Sequence, residues 1–271
     1  MTLPVTVIVP VRNAEHLVDQ CLTAIFRAAP QEVIVVDGMS SDRTTQIVQR
    51  YQLKLLSDNG AGLPAARMMG VDQATSEVVV LMDVDILLPD GALEELYAEF
   101  VQGHYDALQA GLISSPLGPG YWGRALTVHH NRGRSKNWPG VMATIFKRQV
   151  LLTHRFDARF RSGEDIELRW RLQKANLKVG VSKKTFVKHL FGDTFEFAKD
   201  QFIADGKGLG RMYAKYGWPA AKLLLIPAAG CVRGILISLL HLELGWIPYY
   251  LVYLFYNYVS MRSSLYERLA S

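Results

Sequence analysis

The sequence has little of several features that mark particular classes of protein. Its two cysteines, Cys21 and Cys231, lie far apart in apolar stretches, so we expect free buried thiols and a reducing compartment. The net charge of +5 comes without any run of five basic residues, which argues against a nucleic-acid partner. The opening MTLPVTVIVPV lacks a basic segment and a cleavage site, so we expect no signal peptide.

The composition is that of a folding chain. Of its 271 residues, 49% are hydrophobic and 20% are charged, which is enough for one large domain or two small ones. The distributed positive charge favours a phosphate-bearing ligand or an anionic membrane surface.

The first hundred residues alternate between strand and helix patterns. The pattern predicts strands at 5–9, 32–36, 53–57 and 77–82, and helices at 14–28, 42–51 and 64–74, with Ser40 or Ser41 capping the second helix. Later strands are predicted at 140–146, 178–182 and 186–189, with a helix at 166–175. Such alternation indicates an α/β fold with a parallel sheet covered on both faces.

Polar residues follow the predicted strands where each of them ends. Arg12 and Asn13 follow the first strand, Asp37 follows the second, and Asp83 and Asp85 follow the fourth. Ligands of parallel sheets bind beyond the carboxyl ends of the strands. The sequence therefore predicts a binding site at this edge.

The stretch VVVLMDVDILLP at 78–89 carries two carboxylates directly after an apolar strand. If the strand continues through them, Asp83 and Asp85 point to the same side. Oxygen ligands of this kind suit Mn²⁺ or Mg²⁺, which phosphate substrates often share. The alternative is a turn or helix-cap carboxylate, because Pro89-Asp90-Gly91 follows closely.

Five segments in order resemble the family 2 glycosyltransferases. They are VTVIVPVRN, EVIVVDGMSSDRT, DNGAGLPAARMMGVDQA, VVVLMDVDILLPDG and SGEDIELRWRL, and the resemblance covers about residues 4–100 and 140–190. It implies the GT-A fold, a mainly parallel central sheet with helices on both faces. It also implies inverting transfer from a UDP- or GDP-sugar with a divalent cation, Mn²⁺ or Mg²⁺.

The resemblance assigns nucleotide-sugar binding to residues of the first three segments. Pro10 and Asn13 match a Pro-x-x-Asn that holds base and ribose, with Arg12 between them, and Asp37 matches the acid that contacts uracil or ribose. Gly60 and Arg67 match a Gly…Ala-Arg segment near the nucleotide or the metal-site carboxylates. For Arg67 a surface ion pair is the alternative.

The same resemblance assigns the metal and the catalytic base. Asp83 and Asp85 match the metal motif, with Asp83 also near the donor, and His189 resembles a third metal ligand of some relatives, although a lone histidine is more often structural. Asp165 matches the general base and Glu164 a residue that places the acceptor or the base. The alternative is that both carboxylates only favour a helix N-terminus.

Two further basic segments are candidates for the site. Lys207 and Arg211, in DGKGLGR, fit a gating loop over the diphosphate, or equally a solvated helix that contains glycines. A weaker choice for the acceptor cleft is the basic stretch that contains His129, His130, Arg132 and Arg134. In the helix predicted at 166–175, Glu167 with three basic neighbours fits a solvated face.

The end of the chain is apolar. Residues 223–240 and 246–261 form segments of 18 and 16 residues, slightly short of the about 20 that a spanning helix needs. Arg233 would cost roughly 2.5–3.5 kcal/mol at the centre of a bilayer. The small residues Gly230, Gly234 and Ser238 suit close helix packing. We expect a membrane hairpin or in-plane helices, with soluble helices that pack on the catalytic domain or a dimer partner as the alternative.

These patterns predict a GT-A catalytic domain at 1–215, with a nucleotide-sugar half at 1–100 and an acceptor half at 101–215, followed by a membrane-associating segment at 216–271. The acceptor is expected to be lipid-linked or a glycan, at the cytoplasmic side of the cell membrane, and a homo-oligomer is an open expectation. The alternatives are a phosphohydrolase, because DVDILL resembles the haloacid-dehalogenase motif, and a sugar-nucleotide sensor without activity.

Overall fold

The computed structural model describes residues 2–132 and 140–265 of the chain. These residues pack as two compact units. Within the described ranges, the first unit comprises residues 2–113, 140–158 and 168–190, and the second comprises 114–132, 159–167 and 191–265. The units are defined by packing, whereas the division predicted at residue 215 is one of function and stays a prediction.

The described residues form an eight-stranded sheet in the order β3-β2-β1-β4-β7-β6-β8-β5. The strands are β1 (Leu3–Val11), β2 (Pro30–Asp37), β3 (Lys54–Ser57), β4 (Val78–Leu81), β5 (Ile86–Leu87), β6 (Ala107–Pro116), β7 (Thr144–Lys147) and β8 (Val179–Phe191). β1 pairs in parallel with β2 and β4, and β2 pairs in parallel with β3. β7 pairs antiparallel with β4 and β6, and β5 with β8, so the predicted parallel sheet is confirmed for four strands.

The apolar run of β1 is buried on both faces of the sheet. Val7 and Val9 belong to a core cluster that contains α1 (Val18–Arg27), whereas Ile8 belongs to a second cluster that contains α3 (Leu63–Gln73). Successive side chains of a strand point to opposite faces, so a continuous β-branched run requires a cover on each face. The sheet therefore holds its strand ends in a rigid layer.

The remaining helices are α2 (Thr44–Val48), α4 (Ala92–Gln102), α5 (Tyr121–Arg132), α6 (Arg148–Thr153), α7 (Glu164–Lys174), α8 (Phe195–Tyr216), α9 (Ile226–Leu240) and α10 (Ile247–Leu265). Several bounds differ from the prediction. α2 is shorter, and Asp42 rather than Ser40 or Ser41 accepts the first backbone hydrogen bond, from Thr44 N–H at 3.0 Å. The two strands predicted at 178–182 and 186–189 are one strand, β8.

The second unit is built on the packing of α8 against α10. A Cβ atom on Gly206 of α8 would lie 2.2 Å from the carbonyl oxygen of Asn257 on α10, so only glycine permits this approach. Phe202 of α8 packs at right angles on the rings of Tyr249 and Tyr253, with centroids 5.4 Å apart in each pair. The helices are thus fixed by close backbone contact and an aromatic cluster.

α9 and α10 each have a buried face and an exposed apolar face. In α9 the stripe of Gly230, Gly234 and Ser238 packs toward α10, and a Cβ on Gly234 would lie 2.1 Å from the ring of Tyr250. The exposed residues are Val232, Leu236, Leu239 and Leu240 of α9 and Leu251, Phe255 and Val259 of α10. Within the described ranges one helical stretch, Trp218–Leu240, is long and apolar enough to cross a bilayer, by length and composition alone.

Candidate functional site

The loops that follow β1 and β2 are joined by hydrogen bonds among predicted site residues. Asn13, which has a φ of 49°, accepts a hydrogen bond from Ser41 N–H at 2.8 Å and donates its own N–H to Ser40 Oγ at 2.9 Å. Ser40 N–H in turn donates to the Asp37 carboxylate at 3.1 Å. Since Val11 pairs with Asp37 in the sheet, Pro10, Asn13 and Asp37 lie at one edge, as the sequence predicted, while Arg12 is exposed beside them.

The loop after β3 is attached to the same edge. Asp58 N–H donates to the Asp37 carbonyl oxygen at 3.0 Å, and the buried Asp58 carboxylate accepts from Gly60 N–H at 2.8 Å and Gly62 N–H at 2.9 Å. Asp58 thus shapes the turn that holds the predicted donor residue Gly60. Asp58 is not among the predicted site residues, although its position directly after a strand is a signal.

Arg67 of α3 makes a buried ion pair with Asp83. Its Nη2 donates to both carboxylate oxygens, at 2.8 and 3.0 Å, and the arginine side chain is 2% exposed. The guanidinium carbon also lies 5.8 Å from the centre of the Phe156 ring. The surface ion pair considered for Arg67 is therefore wrong, because its partner is a carboxylate of the D-x-D in the interior.

Asp85 meets His189 because β5 pairs with β8. β4 ends at Leu81, and the chain turns through Asp83 and Asp85 before β5, so the condition of a strand continuing through both carboxylates is not met. In the β5–β8 register Ile86 is opposite His189, and Leu190 N–H donates to the Asp85 carbonyl oxygen at 2.8 Å. This pairing brings His189 Nε2 to 3.4 Å from Asp85 Oδ2.

The other oxygen of that carboxylate, Asp85 Oδ1, is buried without a hydrogen-bond partner among the described residues. A buried carboxylate oxygen without a partner is costly unless something compensates its charge. No group of three metal-binding side chains is preassembled in the part of the chain that the structure describes. Asp83 is bound by Arg67 instead, so Asp85 with His189 is the pair that fits a divalent cation.

The charges of Asp83 and Asp85 act on a buried group of α1. The pKa of the buried thiol of Cys21 on α1 is raised to about 12, first by burial and then by the charges of Asp85 and Asp83. Because Arg67 compensates the charge of Asp83, the charge of Asp85 is the one that favours a cation at this edge. Both cysteines are free and buried, as predicted.

In the second unit Glu164 and Asp165 form the first turn of α7, two residues earlier than the predicted helix start. Gly163, which has a φ of +75°, precedes them, and a Cβ atom on it would lie 2.7 Å from the Cα of Gly208 on α8. Arg211 Nη1 of α8 donates to Ser162 Oγ at 2.8 Å. The start of α7 is thus fixed against the middle of α8.

Residues 205–211 are helical, so the gating loop predicted for DGKGLGR is wrong, and so is the solvated helix. Its glycines are packing positions: Gly206 and Gly210 lie against α10 and Gly208 lies against Gly163. Arg211 is buried and Lys207 is half-buried on α8. Their predicted role in donor binding stays a prediction.

The prediction that Glu167 lies on a solvated helix face is also wrong. Glu167 is fully buried, and its Oε1 accepts hydrogen bonds from Lys215 Nζ at 2.5 Å and from the Tyr216 hydroxyl at 2.6 Å. The charged pattern of α7 was typical of a solvated face, but a tertiary partner from α8 buries this residue. Glu167 therefore fastens α7 to the end of α8.

The basic stretch on α5 is engaged in structural contacts. His129 lies against the rings of Tyr249, Tyr250 and Tyr253, and burial lowers its pKa to about 4. His130 Nδ1 lies 2.9 Å from Ser114 Oγ. Arg132 pairs with Glu243 at 2.7 Å, whereas Arg134 lies outside the described residues.

The family model named glycosyl transferase family 2 matches residues 6–162, which is more than half of the chain. The chain belongs to this family. It is therefore a glycosyltransferase, and the family assignment excludes the phosphohydrolase alternative.

Curated relatives of this family 2 chain match it in part. It is 33% identical over 113 residues to the poly(ribitol-phosphate) beta-N-acetylglucosaminyltransferase TarS of Staphylococcus aureus, covering 38% of this chain and 20% of TarS. It is 30% identical over 169 residues to the undecaprenyl-phosphate 4-deoxy-4-formamido-L-arabinose transferase of Pectobacterium carotovorum, covering 54% of this chain and 50% of that enzyme. The chain thus spans half or less of the length of these two relatives.

Solved structures establish the fold of this glycosyltransferase as GT-A. One solved structure is the mannosyltransferase PcManGT of Pyrobaculum calidifontis in complex with GDP-Man and Mn²⁺. It aligns with a TM-score of 0.67 at 19% sequence identity, and the alignment covers 99% of this chain and 88% of the PcManGT chain. Residues 1–349 of S. aureus TarS, solved with UDP, align with a TM-score of 0.56 at 20% sequence identity. This alignment covers 100% of this chain and 94% of the TarS chain in that structure.

Proposed function

We propose that this glycosyltransferase moves one sugar, with inversion, from a UDP- or GDP-sugar to a hydroxyl group of a lipid-linked or membrane-borne acceptor. The observation that carries the proposal is the unpartnered Asp85 Oδ1 beside His189, at the edge where the loops after β1, β2 and β3 meet. A nucleoside diphosphate at such an edge needs a cation to compensate its negative charge. The two family-matched carboxylates are the proposed ligands of that cation.

The residues present fit a divalent cation. Asp85 and His189 would hold it, and Asp83 would contribute through the carboxylate that Arg67 fixes. A bound Mn²⁺ or Mg²⁺ neutralises the diphosphate so that it can leave. PcManGT, which shares the fold, was solved with Mn²⁺ and a nucleotide sugar, and this supports the same cofactor class here.

The donor half of the proposal assigns the nucleotide to the loops after the first three strands. Asp37, Asn13 and Ser40 belong to a hydrogen-bonded group that joins the loops after β1 and β2, at the edge where ligands of parallel sheets bind. Arg67 fixes the direction of the Asp83 carboxylate, because its Nη2 donates to both carboxylate oxygens.

The acceptor half assigns the general base to Asp165. The acceptor hydroxyl transfers its proton to the Asp165 carboxylate while its oxygen bonds to the anomeric carbon, and the diphosphate leaves with the electron pair of the broken bond. Glu164, the preceding residue on α7, is proposed to place the acceptor.

Attachment to a membrane surface is part of the proposal. The exposed faces of α9 and α10 are apolar, with Leu240 81% exposed and Phe255 61% exposed, and exposed Arg233 and Arg262 accompany them. The opposite faces of both helices are committed to packing within the second unit, so in-plane association suits them better than spanning. The cytoplasmic side of the cell membrane is the proposed location.

The test is release of nucleoside diphosphate from a panel of UDP- and GDP-sugars, with Mn²⁺, with Mg²⁺ or with EDTA, in the presence of a membrane extract. Metal-dependent release should be lost in Asp85→Ala and Asp83→Ala. The matched control is Asp90→Ala, which removes an exposed carboxylate from the same region and should retain activity.

Asp165→Asn separates the base from the donor site. This variant should bind the donor with unchanged affinity by calorimetry and lose at least a hundredfold in turnover. Binding without turnover in the wild-type protein, with every donor and extract, would favour the sensor hypothesis instead.

A further inference from the structure

Met39, in the loop after β2, has an apolar side chain that is exposed at the edge where the strands of the first unit end. The side chain is 61% exposed, although hydrogen bonds hold the backbone on either side of it. Gly38 N–H donates to the Val11 carbonyl oxygen at 2.8 Å, and Ser40 N–H donates to the Asp37 carboxylate at 3.1 Å. An ordered loop thus presents Met39 to solvent.

The backbone of Met39 is also unusual. Its φ of 62° lies in the left-handed region, which glycine adopts without steric cost and a residue with a Cβ atom adopts rarely. Exposure and this backbone conformation both oppose a purely structural role for the methionine side chain. A role in ligand binding explains why it stands at this position.

Met39 lies against the loop that follows β3. A Cβ atom on Gly60 of that loop would lie 3.1 Å from Met39 Sδ. The loop is attached to β2 by the hydrogen bond from Asp58 N–H to the Asp37 carbonyl oxygen, at 3.0 Å. Met39 and the exposed residues 59–62 therefore form one continuous surface at the edge of the sheet.

Asp58 holds this loop from the inside. Its side chain is buried, with 4% relative exposure, and its carboxylate accepts hydrogen bonds from Gly60 N–H at 2.8 Å and from Gly62 N–H at 2.9 Å. Backbone N–H groups of a glycine-containing loop are a common means of binding phosphate. Here a carboxylate of the protein occupies both of these groups.

The other two N–H groups of residues 59–62 are engaged as well. Ala61 N–H donates to the Asp58 carbonyl oxygen at 3.1 Å, and Asn59 N–H donates to Ser57 Oγ at 3.2 Å. The loop thus has no backbone N–H group left for a phosphate, and the negative charge of Asp58 lies directly behind it. The diphosphate of a nucleotide is therefore unsuited to this loop.

The groups that the loop presents are hydrogen-bond acceptors. Within the described part of the chain, no hydrogen bond is made to the carbonyl oxygens of Asn59, Gly60 and Ala61, and all three residues are exposed. Carbonyl oxygens accept from N–H groups, which uracil and guanine carry on their edges and a phosphate lacks. An apolar methionine beside these acceptors suits the flat face of such a ring.

We propose that Met39 contacts the base of the donor nucleotide, and that Asp58 is the positioning residue that holds the acceptor groups of residues 59–61 for the edge of that base. The inference rests on the proposed function, which assigns the nucleotide to the loops after the first three strands. It deepens that function by separating two parts of the ligand: the base lies at Met39 and the loop after β3, and the diphosphate lies at the cation held by Asp85.

The experiment measures binding of UDP, GDP and pyrophosphate, each with Mn²⁺, to the full-length protein by calorimetry. Met39→Ala should weaken binding of the nucleotide that the wild type binds by about fivefold and leave pyrophosphate binding unchanged, because only the base loses a contact. Met39→Leu should restore most of the affinity. Val101→Ala is the matched control, since it shortens another exposed apolar side chain, 48% exposed on α4, and should leave all three ligands unaffected.

Asp58→Asn tests the positioning residue. The amide has one acceptor oxygen instead of two, so one loop N–H group loses its partner. Nucleotide binding should fall by about tenfold, again without a change for pyrophosphate, and the donor KM should rise by the same factor with kcat unchanged. Without any ligand, hydrogen exchange of the Gly60 and Gly62 amides should be faster in this variant. Asp90→Asn, at an exposed carboxylate, is the control.

The outcomes separate this inference from the proposed function. If nucleotide binding is unchanged in Met39→Ala, or if pyrophosphate binding falls together with it, the base does not lie at Met39 and only this inference fails. Loss of pyrophosphate binding in Asp58→Asn would show that the loop serves the phosphates and would likewise overturn it. If neither UDP nor GDP binds to the wild type, the proposed function fails, and this inference fails with it.

Discussion

Arg67 and Asp83 form a buried ion pair in which one guanidinium nitrogen binds both carboxylate oxygens, at 2.8 and 3.0 Å. The pair joins helix α3 to the turn after β4. Arg67 thereby compensates the charge of one of the two carboxylates of the D-x-D, so cation binding depends mainly on Asp85.

We expect each single change at this pair to be more damaging than the double change. Arg67→Met or Asp83→Asn leaves a buried charge without its partner and should lower the free energy of unfolding by about 3 kcal/mol. Arg67→Met combined with Asp83→Asn should recover part of that loss, because no unpaired charge remains. Urea unfolding of the four proteins measures the cycle, and additive effects would contradict a direct interaction.

Asp85→Asn should weaken Mn²⁺ binding more than Asp83→Asn does. Asp85 has an unpartnered oxygen and a histidine at 3.4 Å, whereas Asp83 is already bound by Arg67. His189→Gln should have an intermediate effect. Titration of Mn²⁺ by calorimetry with UDP or GDP present measures the order, and equal losses for the two aspartates would contradict it.

Gly206→Ala should destabilise the second unit by several kcal/mol, because the new methyl would lie 2.2 Å from the Asn257 carbonyl oxygen and from Ser260 Oγ. Gly245→Ala is the matched control, since no atom lies within 4 Å of a Cβ at that position. Thermal unfolding followed by circular dichroism compares the two. Equal melting temperatures would show that α8 and α10 do not pack this closely.

Charge on the exposed apolar face should weaken membrane association without unfolding the protein. Leu236→Asp, Leu240→Asp and Phe255→Asp alter side chains that are 54%, 81% and 61% exposed. Each should reduce co-sedimentation with vesicles that contain anionic lipid at least fivefold. Val101→Asp, at a 48% exposed position on α4, is the control and should leave sedimentation unchanged.

Asp205 should make the stability of the protein depend on pH. Its pKa in the folded chain lies above 3.8, so between that value and about 7 the folded state binds more protons than the unfolded state. The stabilising contribution of the protonated group is present at low pH and is lost as the pH rises through this window. Asp205→Asn removes the titration, so its stability relative to wild type should increase from pH 4 to pH 8 in urea unfolding. A constant difference would contradict the raised pKa.

The local sequence pattern was sufficient to predict which residues lie at the strand ends of the first unit. Pro10, Asn13, Asp37, Asp83 and Asp85 lie at or shortly after the ends of parallel strands, and the carboxyl ends of such strands meet at one edge. The positions of these residues could be predicted because they depend on period and order along the chain. The antiparallel half of the sheet could not, because strand direction depends on which distant segment provides the neighbour.

The residues whose environment was predicted wrongly are those whose contacts come from distant parts of the chain. Glu167 has the local pattern of a surface position, but Lys215 and Tyr216 bury it. The glycines of 205–211 have the composition of a flexible loop, but each fills a place where another helix or turn approaches at backbone distance.

The sequence by itself determined the family, the fold class and the edge of the sheet at which polar residues gather, because strand order and motif order are written along the chain. The tertiary structure decided which charges are paired: Asp83 is bound by Arg67, Asp85 is next to His189, and Glu167 is bound by Lys215. The physical reason is that the environment of a carboxylate depends on its neighbours in space, and those neighbours come from distant parts of the chain.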